Sequence, residues 1–204
     1  MRVRRAAYRR LIRFARAEDG AAMVEFAIVA PVFFFFFFAT IDFGLFTSSN
    51  LMAEKAVQIA ARTAAMRPAA CAGVPARHGV GTLTGQSFGT NCRNAANTCA
   101  AVAQVSCAGS AANATAAEIW ARIAGTLPGG TAISDLTFTY TQDPALGYLG
   151  GPYTPMVTVD LRLSASPTLI PLGAIGGNFA PTTLNYRTIS ITVPGEDLAL
   201  GTDG

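Results

Sequence analysis

Residues Arg13–Gly44 read RFARAEDGAAMVEFAIVAPVFFFFFFATIDFG, and how this stretch is read decides the fold. An apolar run starts at Ala21 and reaches Phe46, interrupted by Glu25 near its front and Asp42 near its end. As a helix its 26 residues would extend about 39 Å at 1.5 Å per residue, more than a hydrocarbon core of about 30 Å. Phe33 to Phe38 are consecutive, and at 100° per residue they cover every side of a helix. No face is left for water, so the segment belongs in lipid or inside a helical bundle.

Ahead of the run lies a basic head. Of the chain's 15 Lys and Arg residues, seven (Arg2, Arg4, Arg5, Arg9, Arg10, Arg13 and Arg16) fall in the first sixteen positions, and Glu18-Asp19-Gly20 closes the head. The formal charge of +3 therefore belongs to the head alone. Arginines directly before an apolar run hold that end in the cytoplasm. A nucleic-acid role would need a folded reading element or interleaved aromatics, which the head lacks, so no nucleic-acid partner is expected. A cleavable secretory signal peptide fits poorly, because the head is long and ends acidic, and no A-x-A site follows closely. At 204 residues, 51% hydrophobic and 13% charged, the chain suits one ordinary domain plus an appendage. It is too apolar for disorder and unusual for a wholly soluble protein.

Glu25 is the anomaly. A carboxylate near hydrocarbon asks for a partner, although a helix N-terminus by itself also favours an acid there. A cut between Gly20 and Ala21 would supply a partner, because the new α-ammonium group would open the helix four residues before Glu25. Such a pair at 4 Å is worth roughly 4 kcal/mol at an effective dielectric of 20, before desolvation is subtracted.

The basic head, Gly20, and AAMVEFAIVAP with glutamate fifth after the glycine resemble a class of type IV prepilins. More specifically they resemble the TadE-like pseudopilins of the tight-adherence (Tad/Flp) pilus system. IDFGLFTSSNLMAEKAVQIAARTAAM, Ile41–Met66, resembles that family's helix, so the likeness spans about residues 17–67. It implies processing by a prepilin peptidase between Gly20 and Ala21, with Glu25 and its neighbour Phe26 in processing or assembly. The partners it implies are other pilins or pseudopilins, the inner-membrane assembly platform and membrane lipid. Major pilins of this system usually carry Tyr after the glutamate and are far shorter, so Phe26 and the length favour a minor pseudopilin.

Pro31, inside the apolar helix, removes one backbone bond and predicts a local kink. Beyond Gly44 the helix turns amphipathic, with a polar stripe at Asn50, Glu54, Gln58 and Arg62. Met52, Ala56, Ile59, Thr63 and Met66 form an apolar face that a soluble domain should cover. Pro68 ends the helix. Residues 68–113 lack a sustained period and hold all four cysteines, Cys71, Cys92, Cys99 and Cys107. Outside the cytoplasm these predict two disulfides, with three pairings open. No C-x2-C spacing exists, so no metal site is expected.

Thr115-Ala-Ala-Glu118 reads as a capping box opening a short helix to Gly125, with Trp120 in the core. Three alternating segments follow. Leu136, Phe138 and Tyr140 share one face, as do Val157, Val159, Leu161 and Leu163, and again Ile189, Ile191 and Val193, as in antiparallel strands. Ser166–Pro181 reads as an apolar packed loop broken by Pro and Gly, with a possible contact to membrane or partner.

Gly85-Gln-Ser87-Phe-Gly89 matches a nucleophile elbow in pattern only. The sole histidine, His78, lies upstream in what reads as surface loop. No catalytic residue and no cofactor are expected. The organisation is thus a cleaved leader (1–20), a membrane half-helix (21–46), its amphipathic continuation (47–67), a cysteine loop region (68–113), and a short helix with antiparallel sheet (114–204). The fold class is α+β, and the likeness makes it pilin-like. The alternative function is a membrane-anchored binding module that keeps its signal anchor; an extracytoplasmic enzyme using Ser87 is the weakest reading.

Overall fold

Helix α1 runs from Ala21 to Met66, 46 residues with Pro31 inside it. It belongs to a computed structural model that describes residues 20–167, 183–196 and 198. The basic head and most of the Ser166–Pro181 segment lie outside the described residues. Two units divide the chain, and the boundary falls within α1 between Leu45 and Phe46.

In the first unit the large apolar side chains from Met23 to Phe38 are all exposed, from 76% at Met23 to 38% at Phe35. Phe33 stacks on Phe37 and Phe34 on Phe38, with centroids 6.0 and 6.2 Å apart, the i,i+4 pairing that a helix surface provides. A helix satisfies its own backbone groups, which is why such a sequence can stand in lipid. Thr40 follows the same rule, its hydroxyl donating to the Phe36 carbonyl at 2.7 Å.

The second unit begins with the outer part of α1, which buries a stripe of small residues: Ala53, Ala56, Val57, Ala60, Ala61 and Ala64. Their spacing of three and one alternately traces a single face. This corrects the expected apolar face. Ala56 and Thr63 are buried, but Met52, Ile59 and Met66 remain 51%, 46% and 50% exposed. The alanine row lets the sheet's large side chains come close to the helix, so the bulk of this core is supplied from the sheet side.

That sheet has the order β1-β2-β3-β6, every pair antiparallel. Its strands are β1 (Val105–Ala108), β2 (Leu136–Thr141), β3 (Met156–Leu161) and β6 (Ile189–Pro194). Register places Phe138 beside Val159 and Val159 beside Ile191, and likewise Tyr140, Val157 and Val193 in the next row. These rows join the α1 alanines in one core. On the opposite face Ser106 meets Thr139, itself buried, at 2.9 Å, and the exposed pair Thr158 and Thr192 meets at 2.7 Å. β4 (Ser166–Pro167) and β5 (Thr183–Leu184) form a separate two-stranded pair.

β1 falls in the stretch expected to be loop. Val-Ser-Cys-Ala carries little strand signal of its own, and pairing with β2 makes it a strand. The short helix α2 (Ala114–Ile123) begins one residue before the expected capping box. Asn113 is its N-cap, accepting from the Ala116 amide at 3.0 Å. Thr115 instead donates to the Pro68 carbonyl at 2.7 Å, and Glu118 pairs with Arg67 and Arg122. Trp120 is half-buried against the core.

Candidate functional site

The first unit presents the segment that the sequence singles out. Gly20 is exposed immediately before α1, and a Cβ there would meet nothing within 4 Å. Among the described residues, packing therefore does not require glycine at that position. Ala21 opens the helix. Glu25 and Phe26 follow one turn later, both exposed. Among the described residues no ion pair reaches Glu25, which sits on an apolar surface. α1 is long and apolar enough to cross a membrane, and none of its most apolar window is buried.

The second unit holds the cysteines, and the pairing left open in the sequence is resolved: Cys71 with Cys107, and Cys92 with Cys99. The first bridge ties the loop that follows α1 to β1, beside the main core. The second joins Leu149 in a small core of its own. Tyr140 reinforces the first region. Its hydroxyl accepts the Ala70 amide at 2.8 Å, and burial pushes its pKa up, partly offset by that hydrogen bond.

His78 is corrected from surface loop to core: it is 2% exposed, with its ring centroid 5.1 Å from that of Tyr153. Burial lowers its pKa from the usual 6.5 and raises that of Tyr153. The Thr154 amide donates to Nε2 at 3.2 Å. Gly147, at φ 84°, lies so close that a Cβ would run into the ring. This loop closes through backbone bonds, His78 to Gly151 and Gly150 to His78, which the sequence pattern did not signal.

Ser87 does not sit on an elbow. Residues 81–90 are turns and loop with no strand before and only a three-residue 3-10 helix, Cys92–Asn94, after, and Gly85 and Gly89 take positive φ.

Beside these residues an exposed recess of about 500 Å³ is lined by Val80, Phe88 and Tyr148. Phe88 and Tyr148 are 77% and 55% exposed.

No curated protein and no solved structure matches the chain. The family model of the TadE-like proteins matches residues 20–62, from the glycine before α1 to Arg62 on its outer part. Over that helix the chain is similar to the TadE-like proteins.

Proposed function

We propose that the chain is a minor pseudopilin, a structural and assembly component of a Tad (Flp) type IV pilus. A prepilin peptidase cuts between Gly20 and Ala21, and subunits pack through α1. The observation that carries this reading is Glu25, a carboxylate with no ion-pair partner among the described residues, one turn into an apolar helix whose membrane-length window has no buried residue. Glycine at position 20, which packing among the described residues does not require, fits recognition by the peptidase. In this reading residues 21–46 span the inner membrane, and residues 47–67 carry the outer domain. The N-terminus lies in the cytoplasm and the domain outside it. Two disulfides support that orientation, because they persist in an oxidising compartment. Mass spectrometry of the membrane-resident protein tests the proposal. A chain beginning at Ala21 is expected, and an intact Met1 or Arg2 terminus on a working protein would overturn it.

The exposed Phe88 and Tyr148 favour a second reading for the outer domain, a binding module on an uncleaved anchor. The same terminus measurement separates the two.

A further inference from the structure

Directly beyond the apolar run, two opposite charges line one recess without pairing. The recess encloses about 600 Å³, and its lining includes Phe46, Asn50, Glu54, Asn185 and Arg187. That volume is usual for a small-ligand site, and all five residues belong to the second unit. Phe46 stacks on Tyr186 with centroids 4.8 Å apart. Asn50 donates Nδ2 to the Phe46 carbonyl at 3.0 Å, which leaves its Oδ1 to accept. Glu54 is exposed one turn further along, and Arg187 is exposed as well. Among the described residues neither forms an ion pair. A carboxylate and a guanidinium that share a recess and stand apart leave room for a ligand carrying both signs.

We propose that this recess binds the headgroup of a zwitterionic phospholipid with a primary ammonium group, of the phosphatidylethanolamine type. The inference rests on the reading that residues 21–46 cross the bilayer. Those 26 residues extend about 39 Å, close to the roughly 40–45 Å of a bilayer with both headgroup layers. With Ala21 in one headgroup layer, Phe46 therefore reaches the other. Tyr186, stacked on Phe46, is a residue type enriched at that depth. Asn50 and Glu54 follow about 6 and 12 Å further along the helix axis. Helical side chains lean towards the N-terminus, so Glu54 leans back towards the bilayer.

The headgroup carries the complementary pattern. Its phosphodiester oxygens accept from the Arg187 guanidinium, whose planar fork suits two of them, and the Asn185 amide beside it adds a donor. Its ammonium has three N–H donors for the Glu54 carboxylate and Asn50 Oδ1. A glycerol headgroup offers the phosphate without the cation, and its net negative charge meets Glu54. A choline headgroup keeps the cation but has no N–H to donate. Fixed charges of both signs thus select a headgroup, whereas a purely basic patch takes any anionic lipid.

The test uses the full-length protein in detergent. Native mass spectrometry counts bound phosphatidylethanolamine, phosphatidylglycerol and phosphatidylcholine of identical acyl chains at matched concentrations. The ethanolamine lipid should bind about three- to fivefold more tightly than the others, the scale of one partly exposed ion pair. Arg187→Gln should weaken the ethanolamine and glycerol lipids alike. Glu54→Gln should weaken the ethanolamine lipid and strengthen the glycerol lipid, so the preference disappears or inverts. Both side chains are exposed, and an unchanged melting temperature checks that each variant keeps its fold. A second arm adds free O-phosphoethanolamine or inorganic phosphate in excess, and neither should displace the lipid. Displacement at concentrations matching the lipid would assign the recess to a soluble phosphate and overturn the lipid proposal. Equal binding of the three lipids, undiminished binding in Arg187→Gln, or an unchanged preference in Glu54→Gln would overturn it too. Fractionation of the wild-type protein reads membrane residence separately, so a failure of the membrane reading is distinguished from a failure of the site.

Discussion

At Glu25 a single carboxylate separates two properties that usually travel together. Glu25→Ala makes the helix more apolar, so membrane insertion should be retained while processing or assembly is lost. Membrane fractionation with pilus counts would check this, and normal piliation in the variant would contradict it. The two buried tyrosines are told apart by their partners. Tyr140→Phe strips the Ala70 amide of its acceptor and should cost about 1–3 kcal/mol in denaturant unfolding. Tyr153→Phe removes a buried hydroxyl with no partner among the described residues and should be neutral or stabilising. For His78 the folded state disfavours the proton, because burial lowers its pKa below 6.5. Its unfolded form takes up a proton as pH falls below about 6.5, so the stability it contributes is intact above that value and is lost as pH drops towards the folded pKa. Thermal melts from pH 7.5 to 5 should show this decline, and His78→Gln should flatten it.

At the scale of elements, the two bridges should differ in worth. Cys71 and Cys107 are 36 residues apart and Cys92 and Cys99 seven. The chain-entropy estimate gives about 4 and about 2 kcal/mol respectively. Replacing Cys71 and Cys107 by alanine should therefore lower the melting temperature more than replacing Cys92 and Cys99. Equal effects would show that loop length does not govern them. The strands β2, β3 and β6 were legible because apolar residues recur at every second position in each: Leu136, Phe138 and Tyr140; Val157, Val159 and Leu161; Ile189, Ile191 and Val193. β1 was not, since four small residues gain strand character only from the neighbour they pair with. The burial face of α1 was misjudged for a related reason. Periodicity marked Met52, Ile59 and Met66 by hydrophobicity, whereas the domain sits on the adjacent alanine row.

For the whole molecule, the expected terminus at Ala21 is the measurement that joins the helix to its assembly role. The sequence by itself determined the lipid-suited helix, the charge asymmetry ahead of it, the place of Glu25 and the antiparallel character of the outer domain. Those features are local, set by neighbours along the chain through helix and strand periods and by the cost of putting charge in hydrocarbon. Only the tertiary structure decided the cysteine pairing and the burial of His78. Long loops bring these residues together, and closure of loops without a repeating pattern depends on which distant surfaces pack. Spacing along the chain carries no trace of that.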